Sequence, residues 1–155
     1  MAETRQLPAV IPMLAYEDPA TAIDWLTTAF GFREQRERRS VAPDGRVTHA
    51  QLEAGGGIVM LANPTPDYQG PARHRTECLA ADRWLSVPWV VDGVFVRIAM
   101  IDDHFNRARA AGARMLSGIE PGPDGRLYRV EDLEGHRWMF YEPGASSDAA
   151  SGTGG

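Results

Sequence analysis

The tetrapeptide Pro-Asp-Gly-Arg occurs twice in this chain of 155 residues, at positions 43–46 and again at positions 123–126. Proline, aspartate and glycine in this order are typical of a tight turn, and a single copy would constrain the fold very little. Here both copies fall at the same step of two similar series of apolar and polar segments, 80 positions apart. Such a placement indicates an internal duplication. We therefore predict an α+β fold that consists of two tandem βαβββ modules.

The first half of the chain carries well-marked helix and strand signals. Residues 8–16 are apolar and are predicted to be extended. Asp18 and Pro19 then suit the N-cap and the first position of a helix, and Gly31 suits its end. Three more strands are predicted after this helix, at residues 32–41, 46–54 and 58–62.

The second half repeats this order of elements. Residues 93–101 have an apolar strand pattern, and Asp102 and Asp103 are predicted to cap the helix that follows. Three further strands are predicted at residues 114–119, 126–130 and 136–141. We therefore assign one domain at residues 8–143, which is divided into module one at 8–63, a linker at 64–91 and module two at 92–143.

The segments outside the modules differ from them in composition. The linker begins with prolines and glycines, which are typical of a loop, and residues 75–85 are spaced to suit a helix. Long connections often carry binding groups, and Trp84 and Trp89 in this one could stack on a flat ligand, form a dimer contact or cap the core. Residues 144–155 are rich in glycine, serine and alanine, so we expect a flexible tail there.

Composition argues against several classes of function. A net charge of −5 and a pI near 5.3 argue against binding to nucleic acid. The apolar runs are too short to span a membrane, and the N-terminal MAETRQLPAV lacks the apolar region of a signal peptide. Cys78 is the only cysteine, which rules out an intrachain disulfide and fits a reducing compartment. We therefore expect a cytoplasmic protein that acts on neither nucleic acid nor membranes.

Two stretches carry a family resemblance, PMLAYEDPATAIDWLTTAFGF in the first half and LYRVEDLEGHRWMFYEP in the second. Together with their surroundings they resemble the vicinal oxygen chelate superfamily over about residues 8–143. That superfamily includes glyoxalase I, extradiol dioxygenases and bleomycin-resistance proteins. The resemblance implies two modules that face each other around a cleft, a small-molecule ligand in that cleft, and a homodimer that often completes it.

The residues at the expected metal positions depart from the family pattern. Metal-dependent members carry His or Gln on the first strand of a module and Glu on the last. Aligning Tyr16-Glu17-Asp18 with Ile101-Asp102-Asp103 places the first-strand positions on Ile11 and Val96. The glutamate expected four residues after the turn glycine falls on Met139, and the last strand of module one is apolar too. Such side chains cannot bind a divalent cation as imidazole and carboxylate do. The resemblance therefore implies a metal-independent member, without a metal ion or other cofactor.

Module one offers the catalytic candidates. By the period of two in a strand, His49, Gln51 and Glu53 share one face. If that face lines the cleft, His49 could act as a general base and Glu53 as its carboxylate partner, with Gln51 as a hydrogen-bonding group. The alternative is a polar outer face with a structural histidine.

Module two offers the remaining ligand-binding candidates. If Met139 occupies the former metal position, then Arg137, Met139 and Tyr141 line the cleft, and His136, Trp138 and Phe140 pack against the helices. Arg129 matches His49 by the 80-residue offset and would suit an anionic or carbonyl-bearing ligand. The two remaining histidines, His74 and His104, are predicted to be exposed.

Three functions are compatible with these patterns. The leading hypothesis is a binding protein that sequesters a small, partly aromatic molecule without a metal. The alternative is an enzyme, either a lyase, isomerase or extradiol-type dioxygenase with a shifted metal site, or an acid–base catalyst that uses His49 and Glu53. A third possibility is a subunit or regulator whose cleft is vestigial.

Overall fold

The structure, a computed structural model, describes residues 6–88 and 92–145, which form two five-stranded sheets and four α-helices. Module one contains β1 (Met13–Ala15), α1 (Pro19–Phe30), β2 (Arg33–Glu34), β3 (Ser40–Val41), β4 (Val47–Ala54) and β5 (Gly57–Ala62). The linker contains α2 (Pro71–Glu77) and α3 (Leu79–Leu85). Module two contains β6 (Val94–Arg97), α4 (Ile101–Ala110), β7 (Arg114–Met115), β8 (Glu120–Gly122), β9 (Gly125–Glu131) and β10 (Arg137–Pro143).

The two sheets have the same strand order. In module one the order is β1-β5-β4-β2, with β3 also paired to β4, and in module two it is β6-β10-β9-β7, with β8 also paired to β9. In both, the first strand runs parallel to the last, and the other pairs are antiparallel. This repeated topology confirms the α+β fold of two βαβββ modules. Within the described ranges, no helix is long and apolar enough to cross a membrane.

Helix α1 follows the local sequence signals closely. The Asp18 side chain accepts a hydrogen bond from the Thr21 N–H at 3.1 Å, which satisfies a donor of the first turn. Pro19 occupies the first turn, where no backbone N–H is needed. The helix ends at Gly31, whose φ of +72° is a left-handed conformation that glycine adopts without strain.

Two predicted elements are wrong because each is interrupted near its middle. The strand predicted at residues 32–41 is interrupted by a 3₁₀ turn at Arg36–Arg38, and Arg39 beyond that turn pairs with Glu34 at 2.7 Å. The helix predicted at residues 75–85 is split at Cys78, which is extended with φ −131° and ψ 106°. Helix α2 begins earlier than predicted, where the Ala72 N–H donates to the Glu134 carbonyl at 2.8 Å.

The predicted cap of α4 is also wrong. Asp102 and Asp103 lie in its first turn, and Met100 is the N-cap residue, without a capping side chain of its own. Instead, the Glu142 carboxylate of β10 accepts from the Ile101 N–H at 2.8 Å. Helix α1 begins at residue 19 and α4 at residue 101, so the modules align with a separation of 82 positions. The alignment by acidic pairs assumed 85, from Asp18 to Asp103.

A shared aromatic core joins the two modules. Phe30 at the end of α1 contacts Phe140 and Trp138 of β10, with ring centroids 4.8 and 5.7 Å apart. Phe140 and Trp138 are fully buried, as predicted for the side of β10 that faces the helices. His104 of α4 lies in the same core, where it contacts Tyr128 and Phe30, so the prediction that His104 is exposed is wrong.

The turn between β9 and β10 fastens module two to module one. Asp132 accepts hydrogen bonds from the Tyr16 hydroxyl at 2.5 Å and from Trp138 Nε1 at 3.0 Å. Glu134 accepts from the backbone N–H groups of Glu17 and Asp18, which precede α1. His136 Nε2 lies 2.6 Å from the Ala15 carbonyl oxygen. The DLEGH sequence of this turn therefore acts as a clamp between the modules.

Candidate functional site

The open face of the module two sheet carries a regular grid of side chains. Strand pairing places Arg129, Met139 and Phe95 in one row across β9, β10 and β6. The next row contains Leu127, Tyr141 and Arg97, and because directly paired residues share a face, both rows lie on the same side of the sheet. This face lies opposite the shared core.

Module one carries the equivalent grid. Gln51, Met60 and Met13 form a row across β4, β5 and β1. The central methionines of the two sheets correspond, since each lies on the last strand beside the first, and Gln51 therefore corresponds to Arg129. The match of Arg129 with His49 is wrong, because the true offset between these strands is 78 positions, from 51 to 129.

The position assigned to Val96 as a former metal ligand is wrong. Val96 pairs with Phe140 and is buried in the core, on the opposite side of the sheet from the open face. With the separation of 82 positions, Ile11 corresponds to Gly93 instead. The alignment failed because Asp18 is the N-cap residue of α1, whereas Asp103, with which it was matched, lies inside the first turn of α4.

The residues at the centre of each open face do not fit a divalent metal. Met13, Met60, Phe95 and Met139 surround the positions where metal-dependent members carry their ligands. Thioethers and an aromatic ring do not replace imidazole and carboxylate for such a cation. Across the two described ranges, no group of three or more His, Cys, Asp or Glu side chains is arranged to hold one.

The three polar candidates of module one, His49, Gln51 and Glu53, share the open face. Within one chain, His49 and Glu53 do not form a catalytic dyad. His49 and Glu53 are four residues apart on β4, a separation of about 13 Å along a strand. Gln51 is buried between them and donates to Gln35, which in turn donates to Glu53 at 3.1 Å. Glu53 also pairs with Arg33 at 2.6 Å. The imidazole of His49 is half-buried and has no hydrogen-bond partner in the part of the chain described.

Arg137 is on the open face of module two, but its guanidinium is fully engaged. It donates through Nε to Glu131 at 3.0 Å and through its other two nitrogens to the carbonyls of Leu85 and Val87. Only 5% of the residue is exposed. Arg137 therefore holds the end of the linker against the sheet, and it has little capacity left for a ligand.

Glu131 is the centre of this anchor and was missed by the sequence reasoning. Its carboxylate accepts two hydrogen bonds from Arg75 of α2, at 3.1 and 2.9 Å, in addition to that from Arg137. Burial raises its pKa, but the hydrogen bond from Arg75 and the charges of Arg75, Arg114 and Arg137 outweigh burial, so the pKa lies below its ordinary value. The sequence signal that could have identified this anchor is the pair of opposite charges, Glu131 and Arg137, on either side of the β9–β10 turn. These two residues pair directly across the strands.

Arg129 is differently placed and keeps part of its hydrogen-bonding capacity. Its Nη1 donates to Glu120, while its buried Nε has no hydrogen-bond partner and its Nη2 makes no hydrogen bond in the described part of the chain. The side chain lines a cavity of about 90 Å³ that also contains Phe95 and Met139. Every other residue that lines this cavity belongs to the end of the linker or to module two. A separate cavity beside Glu53 is lined by residues of module one and by those just before it.

Trp84 does not line the Arg129 cavity. Trp84 on α3 is 61% exposed and lines a separate hollow of about 490 Å³, together with His74 and His136. His74 is exposed, as predicted. Trp89 and the tail from residue 146 onward lie outside the described residues.

Comparison with known proteins identifies the family. The profile of the Glyoxalase/Bleomycin resistance protein/Dioxygenase superfamily matches residues 9–140. The chain therefore belongs to this superfamily.

Individual relatives match over most of the chain. An uncharacterized protein of Mycobacterium bovis is 31% identical over 137 residues, which cover 88% of this chain and 84% of that protein. The crystal structure of TioX from Micromonospora sp. ML1 is 34% identical with a TM-score of 0.62, and the match covers 90% of this chain and 98% of TioX. TnmS3, an antibiotic binding protein from Streptomyces sp. CB03234, shares the fold at 15% identity with a TM-score of 0.57, over 89% of this chain and 98% of TnmS3.

Proposed function

We propose that this protein binds and sequesters a small, partly aromatic molecule without the help of a metal ion. The observation that carries the proposal is the composition of the two open faces. Met60 and Met139 occupy the last-strand positions from which metal-dependent members of the superfamily hold their cation, and Met13 and Phe95 lie beside them in the same rows. Apolar and aromatic side chains with a few polar groups are typical of a site that holds an organic ligand.

The comparisons support an antibiotic-like molecule as the first class to screen. TnmS3 is an antibiotic binding protein, and a fosfomycin resistance protein, FosX from Listeria monocytogenes, also shares the fold. Both likenesses are below 25% identity, so they suggest a class of ligand through the fold alone.

We infer that the working unit is a homodimer. The two sheets of one chain share a core on their helix sides, and the cavities beside Glu53 and Arg129 have no lining residue in common. A second copy that places its module two face opposite the module one face of the first would enclose a cleft.

The test combines metal analysis with a ligand screen on the full chain. Protein purified without chelator, and then incubated with nickel, zinc, manganese or ferrous iron, is expected to retain no stoichiometric metal. A panel of planar antibiotics and metabolites is expected to yield saturable binding at one site per cleft. Tight stoichiometric metal, or an absence of saturable binding across the panel, would contradict the proposal. Light scattering of the same samples tests the dimer.

The second candidate is an acid–base enzyme that uses His49. The observation in its favour is an imidazole on the open face without a described hydrogen-bond partner, since such a group is available to take a proton. Under this alternative, His49→Ala would abolish turnover of a bound ligand while binding survives. Under our proposal, the ligand is released unchanged from both proteins.

We also propose a cytoplasmic location. The one cysteine, Cys78, is a free thiol in the structure, which is the usual state of cysteines in a reducing compartment. Fractionation of the producing cells, with a periplasmic or secreted marker as reference, tests this directly.

A further inference from the structure

The open face of module two has an aromatic and apolar floor. Phe95 is 58% exposed, and its ring lies 5.4 Å from the ring of Tyr141 on the neighbouring strand. Met139 lies beside Phe95 in the same row and lines the same cavity. A tilted pair of rings next to a polarizable thioether is a surface on which a flat ligand can stack. The corresponding row of module one has Met13 in place of Phe95 and carries no ring.

Two guanidinium groups border this floor at opposite corners. Arg129 ends the row that begins at Phe95, two strands away, which is a distance of roughly 10 Å. Arg97 lies in the next row, beside Tyr141, and is exposed. Within the described ranges, the Arg97 guanidinium forms no ion pair or hydrogen bond, and that of Arg129 leaves its buried Nε and its Nη2 unpaired.

The local charge is opposite to that of the whole chain. The arginines on or against this face are Arg75, Arg97, Arg114, Arg129 and Arg137, whereas the carboxylates paired with them are Glu120 and Glu131. The chain as a whole has a net charge of −5. A positive patch in an acidic protein attracts an anion selectively, because the remaining surface repels it.

Building on the proposed function, we propose that this face selects an aromatic ring that bears an anionic group, such as a carboxylate. The ring stacks over Phe95, Met139 and Tyr141. The anionic group accepts hydrogen bonds from the unpaired Nη2 of Arg129 or from the Arg97 guanidinium, both of which are charged donors. A neutral or cationic ring of the same shape gains the stacking without the charge-assisted bonds.

Three isosteric probes test the ligand class on the full chain: 2-naphthoate, 2-naphthamide and 2-(aminomethyl)naphthalene. Each is titrated into ¹⁵N-labelled protein, and the shifts of the Phe95 and Met139 amides give its affinity. We expect naphthoate to bind roughly tenfold more tightly than naphthamide, since a hydrogen bond to a charged group is worth more than a neutral one. The cationic amine is expected to bind most weakly.

Charge-removing variants assign the preference to particular residues. Arg129→Gln and Arg97→Gln are each expected to reduce the advantage of naphthoate over naphthamide severalfold while leaving naphthamide binding within about twofold. Arg129→Gln also removes the contact with Glu120, which could alter the local structure. Arg97→Gln breaks no such contact in the described residues and therefore tests the charge alone. The control is Arg36→Gln, which removes an equally charged side chain that is 90% exposed on module one. This control is expected to keep the full preference.

The outcomes separate the ligand class from the proposed function. Equal binding of all three probes, or a preference that survives both arginine substitutions, would overturn the anionic class while small-molecule binding stands. Shifts confined to other residues would overturn the site, including the case in which a second copy covers Phe95. If no probe binds, this inference is lost, and the antibiotic and metabolite screen decides the proposed function independently.

Discussion

Replacing Glu131 by glutamine should destabilise this protein far more than an equivalent change in module one. Glu131→Gln keeps the shape of the side chain but removes the charge that faces Arg137 and Arg75, whose side chains are 3% and 15% exposed. Breaking a buried ion pair by removing one partner typically costs about 3–5 kcal/mol, because the remaining charge stays buried without compensation. Glutamine still accepts one hydrogen bond, so we expect a loss near the lower end, about 3 kcal/mol in the free energy of unfolding.

Module one provides a matched control. Glu53 occupies the position equivalent to Glu131, but its ion-pair partner Arg33 is 73% exposed. Glu53→Gln should therefore cost less than about 1 kcal/mol, the usual range of a surface pair. Urea unfolding followed by circular dichroism measures both variants, and for a chain of this length 3 kcal/mol corresponds to a fall in Tm of about 6–12 °C.

The pH dependence gives the same prediction a second readout. The pKa of Glu131 is lower in the folded protein than its ordinary value, so its contribution is fully present above the unfolded pKa of about 4.3. That contribution is lost as the pH falls through the folded pKa. The gap in stability between the wild-type protein and Glu131→Gln should therefore be constant from pH 8 to pH 6 and shrink on acidification below about pH 4.5. Equal stabilities of Glu131→Gln and Glu53→Gln at pH 7 would refute the reasoning.

Two further predictions concern the joint between the modules. Burial lowers the pKa of His104 to about 4 in the folded protein, from about 6.5 in the unfolded chain. The neutral imidazole therefore stabilises the fold above about pH 6.5, by about 3 kcal/mol at most. This contribution is lost as the pH falls from about 6.5 toward 4. Urea midpoints at pH 7.5 and pH 5 should differ clearly in the wild-type protein, and His104→Gln should reduce the difference; an unchanged difference would assign it to other groups. Gly135 has φ +90°, and a Cβ there would lie 2.6 Å from the Ala72 backbone nitrogen, so Gly135→Ala should lower the free energy of unfolding by about 1–3 kcal/mol. Gly45 also has a positive φ but has open space around it, so Gly45→Ala should lower it by about 1 kcal/mol. Thermal unfolding of the two variants makes the comparison, and equal Tm values would show that the clash relaxes without cost.

The sequence was sufficient for the order of elements because that order depends on local signals. The caps of α1, the turn glycines and the alternation in β10 act over a few residues, and the structure confirms each of them. The three-residue error between the modules arose where α4 lacks a cap of its own and borrows the Glu142 carboxylate from β10. That residue is 41 positions away in the chain, so no local pattern at the helix start could indicate it.

The candidate site depended more heavily on contacts that are distant in sequence. Arg137 and Arg129 look alike in the sequence, since both lie on the open face of module two. Contacts with Glu131 and with the linker, about 50 positions away, occupy Arg137 completely. Among the described residues, the Arg129 guanidinium donates to Glu120 alone and keeps a free donor. The duplicated scaffold thus places one methionine at the centre of each sheet, and its neighbours determine what each face can hold. With Gln51 and Met13 on one side, and with Arg129 and Phe95 on the other, a cleft built from both faces would be polarised. Such a cleft would fix the orientation of a ligand that has one charged and one apolar end, and it would do so without a metal ion to mark the polar end.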